Sequence, residues 1–283
     1  MKVLGVVFKG YNSGIIKFVT EIIDFLQNTG FEVYLEKNKA DKVGKHELSI
    51  KSFDSKDLDA LVVIGGDGTI LKVFHEIARD IPLIPVNSNS LGFFYDLNRD
   101  NYQKAFKLIM EGNYYIKTFK TGSLTVDSIK ISDFLNEIAI YNVKKGKMFI
   151  FKLFRNGELI TGGRCDGAII ATMLGSTAYS LAQGGPIIDS ELDALVYTPI
   201  SPFTQFLKPI VFSSESSLEV QNFVDSLILV DGILQYEVKK DSKMMITLSG
   251  KNISFVKIKA FERNFFAKIK RRLFDEPFTS KFF

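Results

Sequence analysis

The sequence has very little of the residue types that build metal centres and nucleophilic triads. Of its 283 residues one is a cysteine, Cys165, and two are histidines, His46 and His75. One cysteine excludes an internal disulfide and a cysteine zinc site, and two histidines leave little for a histidine metal cluster or a serine–histidine triad. Because a lone cysteine suits a reducing compartment, we expect a cytoplasmic protein.

A large net charge and a long apolar run are also missing. The formal net charge is +4, which is too small to indicate nucleic-acid or membrane binding. No stretch approaches the ~20 apolar residues that span a bilayer, and the first eight residues have the pattern of a strand rather than a signal peptide. We therefore expect no nucleic-acid and no membrane partner. With 46% hydrophobic residues, a chain of this length can form two domains with full cores.

Strand and helix patterns alternate over the first 114 residues. Apolar runs predict strands, and apolar residues at helical spacing follow them; the strands are 3–8, 31–35, 60–64 and 81–86, and the helices are 15–26, 70–78 and 101–111. Gly30 and Gly112 mark two helix ends. The alternation predicts an α/β domain with a doubly wound parallel sheet.

After Tyr114 the pattern changes to short β-rich runs separated by turn signals, which predicts an all-β domain over 115–257. The Asn156-Gly157 pair is a strong hairpin signal, because both residues readily take a positive φ. A helical pattern returns at Arg263–Phe274, where the basic residues are more typical of a solvated face than of a nucleic-acid site. We expect segment 258–283 to return to the first domain, 1–114.

The most informative motif is Gly65-Gly66-Asp67-Gly68-Thr69, which follows an apolar strand pattern and precedes a helical one. Glycines permit a positive φ and a close approach of the backbone, and the amides of the following helix form an anion site. Beside a phosphate, Asp67 would be disfavoured unless it accepted a proton from an attacking hydroxyl or helped to place a phosphate-bound metal ion. An ordinary turn is the alternative, but ligands of open α/β sheets bind where strands end.

Three polar groupings stand out in the second half. Asn136 and Glu137 lie inside an apolar run, so they need partners, either from a neighbouring strand or from ribose hydroxyls. Arg164 and Asp166 precede a buried strand pattern and form either a structural salt bridge or ligand contacts. The segment Leu174–Pro186 places small hydroxyl residues at a helix start, which indicates either simple capping or a ligand site.

Together these motifs resemble the NAD kinase family, in the family's order and at about its spacing. The resemblance rests on Gly65-Gly66-Asp67-Gly68-Thr69, Asn136-Glu137, Arg164-Cys165-Asp166-Gly167, Gly175-Ser176-Thr177-Ala178-Tyr179-Ser180 and Gly184-Gly185-Pro186. The first motif is shared with lipid kinases, so alone it indicates only phosphoryl transfer, whereas the others are more specific. The resemblance implies transfer of the terminal phosphate of ATP, or of polyphosphate, to the 2′-hydroxyl of the adenosine ribose of NAD, which forms NADP.

The resemblance also implies residue roles. Asp67 is the catalytic proton acceptor, and the phosphate donor is bound by Gly65, Gly66, Gly68 and Thr69. NAD is bound by Asp67, Gly68, Asn136, Glu137, Lys147, Arg164, Asp166, Thr177, Ala178, Tyr179, Ser180, Leu181 and Ala182. Lys147 stands where the family has a basic or polar binding residue, and a surface lysine in a hairpin is its alternative. Tyr179 is the residue expected to reach a neighbouring subunit's site.

The expected partners are small molecules and further copies of the chain. NAD and ATP are the implied substrates, and the implied assembly is a homodimer or homotetramer. Mg²⁺ or another divalent metal is expected to arrive with ATP, because the sequence offers no dedicated protein metal site.

Two rival functions remain at this stage. A lipid kinase would keep the glycine loop but needs an apolar entrance for acyl chains, and the 26 phenylalanines are more simply explained as core. A silent dinucleotide sensor would leave Asp67 as an unhelpful charge. The chain also departs from the family pattern at Asn89, Ala182, Phe203 and Ile233. These departures bear on which phosphate donor is preferred and on how tightly the ligands bind, more than on the reaction.

Overall fold

The computed structural model describes residues 1–10, 12–88 and 92–270 and contains two compact units. The first unit comprises Met1–Phe119 and the chain from Ile253 onward, and the second comprises Lys120–Asn252. Asn89 and the predicted helical residues 271–274 lie outside the described residues.

The strands and helices are numbered along the chain. The strands are β1 Val3–Phe8, β2 Glu32–Glu36, β3 Ser49–Ile50, β4 Ala60–Gly65, β5 Leu83–Asn87, β6 Tyr115–Phe119, β7 Gly122–Val126, β8 Ile129–Phe134, β9 Glu137–Asn142, β10 Phe149–Arg155, β11 Glu158–Thr172, β12 Ala194–Pro202, β13 Ile210–Ser213, β14 Leu218–Asn222, β15 Ser226–Val230, β16 Leu234–Val238, β17 Lys243–Thr247 and β18 Ile253–Lys257. The α-helices are α1 Ser13–Asn28, α2 Lys37–Val43, α3 Asp67–Glu76, α4 Tyr102–Met110, α5 Tyr179–Ala182 and α6 Phe265–Lys270.

The first unit is built on a seven-stranded sheet with the order β3-β2-β1-β4-β5-β18-β6. The pairs from β3 to β18 are parallel, and β6 pairs antiparallel with β18 at one edge. The predicted parallel sheet is therefore confirmed. All residues of β4 are buried, which is typical of a strand covered on both faces.

Helix α1 illustrates why these segments fold as predicted. The Asn12 side chain accepts a hydrogen bond from the Ile15 amide and caps the first turn. The buried face repeats at helical spacing through Phe18, Ile22 and Leu26. Gly30 follows the helix end with a φ of +96°. The short, lysine-rich helix α2 was not predicted, because its single buried residue gives no apolar periodicity.

Two strands that the sequence patterns assign to 115–257 hydrogen-bond into the first sheet. Strand β18 pairs with β5 and β6, and all five of its residues are buried, as expected of an interior strand covered on both faces. Strand β6 is the antiparallel neighbour of β18. Short apolar runs of this kind do not identify which sheet they join.

The second unit is an antiparallel sheet with the order β16-β15-β9-β11-β10-β14-β17-β7-β8, to which β12 and β13 are added beside β11. The all-β prediction is confirmed for this unit. Asn156 and Gly157 have φ values of +50° and +85° in the hairpin between β10 and β11, as predicted. Among the described residues, no helix is long and apolar enough to cross a bilayer.

Candidate functional site

The glycine loop lies at the carboxyl end of β4, where the chain passes directly into α3. Gly66 precedes the helix with extended backbone, and Asp67 is the first helical residue. A β-carbon added at Gly65 would lie 2.3 Å from Oγ1 of Thr69, whereas one added at Gly68 would meet no atom within 4 Å. The loop therefore needs glycine at position 65 for its own packing, and its surface is open at position 68.

Of the two reasons predicted for these glycines, a positive φ and a close approach of the backbone, the first is wrong. None of Gly65, Gly66 and Gly68 has a positive φ, and the φ of Gly66 is −122°. The loop is an extended strand end that turns straight into a helix, so no left-handed residue is needed. The space at Gly68 is open to an approaching anion at the start of the helix, whereas the Thr69 amide already donates to the Gly66 carbonyl at 2.7 Å.

The carboxylate of Asp67 is held by backbone that is distant in sequence. The Phe93 amide donates to both carboxylate oxygens, at 2.9 and 3.0 Å, and the Phe94 amide donates to Oδ1 at 3.3 Å. The Tyr95 hydroxyl donates to the Gly66 carbonyl at 2.8 Å. Burial, together with the charge of Asp67, raises the pKa of Tyr95, so this hydroxyl keeps its proton. These bonds join the glycine loop to segment 92–95.

Gly92 has a steric reason to be a glycine. A β-carbon there would lie 2.3 Å from the Tyr95 ring and 3.0 Å from Oδ1 of Asp67. Segment 92–95 is a part of the site to which the sequence analysis assigned no role.

In the second unit, Asn136 and Glu137 lie at the start of β9 and are each 8% exposed. The side-chain oxygens Asn136 Oδ1 and Glu137 Oε2 are buried and have no hydrogen-bond partner among the described residues. Burial raises the pKa of Glu137 to about 8; the charge of Asp231 adds to this shift, and a bond from the Tyr179 amide opposes it. Such unsatisfied acceptors are costly unless a ligand supplies donors.

Asp231 fixes the backbone of this pair, a role that the sequence analysis missed. Its carboxylate accepts the amides of Leu135, Asn136 and Glu137 at 2.8, 2.7 and 3.0 Å. Asp231 and Gly232 both have a positive φ in the turn between β15 and β16. The Asp-Gly pair between two apolar runs was the available signal, but a turn signal does not reveal a long-range carboxylate contact.

The hydroxyl-rich segment packs against the start of β9. A β-carbon at Gly175 would lie 2.0 Å from the Asn136 carbonyl oxygen, so the close approach needs glycine. The amide of Tyr179 bonds Glu137, and its hydroxyl is 2.9 Å from that of Tyr141. Of the two alternatives for this segment, side-chain capping is not what α5 shows, because its start has no capping side chain; the hydroxyl of Thr177 donates to a preceding carbonyl, and that of Ser180 pairs with Thr198.

Other predicted site residues occupy the rest of the second unit. Arg164 and Asp166 lie within the long strand β11 rather than before a strand. The ion pairs of the described residues include none between them, and Arg164 instead lies 5.8 Å from the centre of the Phe203 ring. Leu181 is half-buried and Ala182 is exposed, both in α5.

Lys147 and Arg164 line one cavity of about 560 Å³. Its other charged lining residues are Lys144, Lys240 and Asp225, so positive charge predominates. The structure thus brings Asn136, Glu137 and Tyr179 into one grouping and Lys147 with Arg164 into another. Asp166 and Ala182 lie in neither grouping by any described contact.

Within the described ranges, no three histidine, cysteine, aspartate or glutamate side chains gather into a set that could hold a metal ion. A glycine loop that joins a parallel strand to a helix, with a fixed carboxylate at its first helical residue, could place a phosphate beside a group that orients a hydroxyl, which is the chemistry that a phosphotransferase needs. Comparisons with known proteins define the family.

The ATP-NAD kinase N-terminal domain model matches residues 4–114, and the ATP-NAD kinase C-terminal domain model matches residues 135–258. An NAD kinase of Thermococcus sibiricus is 31% identical over 89% of this chain and 93% of its own length. An NAD kinase of Thermococcus kodakarensis is 30% identical over 95% of this chain and 98% of its own length. This chain belongs to the ATP-NAD kinase family.

Solved structures agree with that assignment. A crystal structure of an Archaeoglobus fulgidus NAD kinase in complex with ATP has a TM-score of 0.75 and 27% identity, and covers 95% of this chain and 98% of that one. A crystal structure of a yeast NADH kinase complexed with NADH has a TM-score of 0.85 and 19% identity, and covers 100% of this chain and 89% of that one. At this identity it supports the fold alone.

Replacement of Asp231 by alanine should destabilise the second unit by about 2–4 kcal/mol, because three buried amides lose their acceptor. Urea unfolding of the Asp231→Ala variant measures this loss. Asp241→Ala is the matched control, since Asp241 also has a positive φ, of +66°, and is exposed. Equal losses in the two variants would assign the effect to backbone strain and would contradict the anchoring role of Asp231.

Proposed function

We propose that this chain is an NAD kinase that transfers the terminal phosphoryl group of ATP, or of polyphosphate, to the 2′-hydroxyl of the adenosine ribose of NAD. The observation that carries the proposal is the match of both family domains together with the fixed carboxylate of Asp67 in the glycine loop. A coupled assay with an NADP-specific dehydrogenase tests it, with NAD or NADH crossed with ATP or polyphosphate. No NADP or NADPH in any combination would refute the proposal.

Asp67 is the proposed proton acceptor for the attacking hydroxyl. An aspartate is a weak base for an alcohol, but phosphoryl transfer passes through a loose transition state, so the proton leaves late and orientation matters as much as basicity. The amides of Phe93 and Phe94 supply that orientation, because they fix both carboxylate oxygens. Asp67 then receives the proton as the new phosphate ester bond forms and the bond to the leaving phosphate breaks.

Gly65, Gly66, Gly68 and Thr69 are the proposed residues for the phosphate donor. Support comes from the open space at Gly68 and from the helix start at Asp67, since the N-terminal end of a helix favours a bound anion. A divalent cation would neutralise phosphate charge when it is bound. We propose that Mg²⁺ or a similar ion arrives with ATP and is held mainly by the phosphates.

The second unit supplies the proposed dinucleotide-binding residues. Asn136 and Glu137 offer two buried acceptors to ribose hydroxyls, and Thr177 to Ala182 follow the turn that packs on them. Lys147 and Arg164 line a basic cavity that suits an anionic part of the dinucleotide. Asp166, exposed beside Arg164 on β11, is proposed as a further contact.

A homodimer or homotetramer in the cytoplasm is proposed as the working form. Phe203 and Phe206 of the second unit are 69% and 93% exposed, and contact with a second copy would cover such side chains. Light scattering should give two or four times the chain mass of 31.9 kDa. A mass of one chain at micromolar concentration would contradict this proposal.

The Asp67→Asn variant should form NADP about 10²–10⁴ times more slowly than the unaltered protein, because the proton acceptor is lost while the side-chain shape is kept. Its dissociation constant for NAD, measured by calorimetry, should change less than threefold. Asp57→Asn is the control, because the Asp57 side chain is fully exposed. Retained turnover with weakened NAD binding would contradict the assigned role.

NAD binding at pH 7 should release protons, since burial raises the pKa of Glu137 to about 8 and ribose hydroxyls favour its ionised form. Affinity for NAD should therefore rise with pH and level off above about pH 8. Calorimetry in two buffers of different ionisation enthalpy measures the proton count. The Glu137→Gln variant should bind more weakly and release none; equal release by both proteins would exclude Glu137 as the titrating group.

A further inference from the structure

We propose that Lys268 of helix α6 is a positioning residue for Asp67 and acts through the backbone of Phe93. The proposal rests on the proposed role of Asp67 in catalysis. All the groups concerned belong to the first unit. Three contacts connect the Asp67 carboxylate, helix α6 and the ion cluster around Asp96.

The first contact is between Asp67 and Phe93. One backbone amide, that of Phe93, lies within hydrogen-bond distance of both oxygens of the Asp67 carboxylate. The neighbouring amide of Phe94 adds a bond to one of them. The direction of the carboxylate therefore depends on where the backbone at 93–94 is held.

The second contact is between Phe93 and α6. The carbonyl oxygen of Phe93 accepts a hydrogen bond from Nζ of Lys268 at 3.2 Å. The Phe93 ring also meets the Phe265 ring edge to face, with centroids 5.4 Å apart. Phe93 thus donates to Asp67 with its amide and accepts from Lys268 with its carbonyl, so α6 is two hydrogen bonds away from the proposed proton acceptor.

The third contact fixes Lys268 itself. Oδ1 of Asp96 lies 2.7 Å from Nζ of Lys268, and Oδ2 lies 2.6 Å from Nζ of Lys257. The three side chains are only 9–12% exposed. Burial alone would raise the pKa of Asp96, but the two ammonium groups hold it below its ordinary value.

The second ammonium group needs an explanation beyond charge pairing. Lys257 already neutralises Asp96, and the burial of another cation is unfavourable. Burial and the charge of Lys257 indeed lower the pKa of Lys268. What distinguishes Lys268 from Lys257 is its bond to the Phe93 carbonyl, which connects the ion cluster to the segment that holds Asp67.

The test compares Lys268→Met with two matched variants. Lys257→Met removes the other partner of Asp96 but no bond to Phe93, and Lys270→Met alters an exposed lysine of the same helix. For Lys268→Met we expect kcat for NADP formation to fall at least tenfold while KM for NAD changes less than threefold. Lys268→Arg should keep kcat within threefold of that of the unaltered protein, because a guanidinium keeps the charge and has donors for both acceptors. Lys268→Gln serves in place of the methionine variant if that does not fold.

Hydrogen exchange provides a second readout that needs no turnover. In Lys268→Met without substrates, the amides of Phe93 and Phe94 should exchange at least tenfold faster than in Lys257→Met, while β1 and β4 keep their protection. Unchanged kcat in Lys268→Met, an equal fall of kcat in Lys257→Met, or faster exchange throughout the first unit would each overturn the proposal. An inactive parent protein would refute the proposed function instead, and the exchange result would still test the link from Lys268 to Phe93.

Discussion

The site in the first unit depends on a carboxylate being held still by backbone amides. Asp67 starts α3, where the first turn favours negative charge, and its two oxygens are bound by the Phe93 amide from the segment after β5. Hydrogen bonds from main-chain donors are directional and carry no side-chain freedom, so the carboxylate has a fixed orientation before any substrate binds. The glycines around it serve this arrangement mainly by leaving room.

The second unit differs from the first in that it contains buried polar atoms without a hydrogen-bond partner among the described residues. Asn136 and Glu137 are buried at the start of β9, and each has a side-chain oxygen with no partner among the described residues. Asp231 binds the backbone of the same pair and holds it in place. The cost of leaving these acceptors unsatisfied supports the proposal that ribose hydroxyls bind there. The raised pKa of Glu137 follows from the same burial.

In both units, contacts with residues distant in sequence fix the position of a loop of the site. Segment 92–95 has no regular secondary structure over Gly92 to Phe94, yet hydrogen bonds to Asp67 and Gly66 place it. Similarly, Gly175 brings the hydroxyl-rich turn within contact distance of Asn136. In each case a glycine permits the approach and a long-range hydrogen bond fixes it.

Much of the fold was predictable because its signals are local. Apolar periodicity identified α1 and the buried strand β4, and the Asn156-Gly157 turn identified a hairpin, since 3.6-residue and two-residue periods and turn propensities depend on neighbouring residues. The sequence patterns placed β6 and β18 in the all-β domain, 115–257, but both strands hydrogen-bond into the first sheet. A short apolar run does not specify which sheet it joins. Helix α2 gave no signal, as its surface is almost wholly polar.

The sequence by itself determined the two-part architecture, the family and the position of the conspicuous carboxylate in its glycine loop, because these depend on periodicity and on contiguous motifs. Only the tertiary structure decided what holds Asp67, what anchors Asn136 and which lysine meets the Phe93 carbonyl. Those contacts join residues separated by many positions along the chain, and an aspartate in a turn looks alike in sequence whether it binds its neighbours or a distant backbone. Their geometry exists only once both sheets have formed.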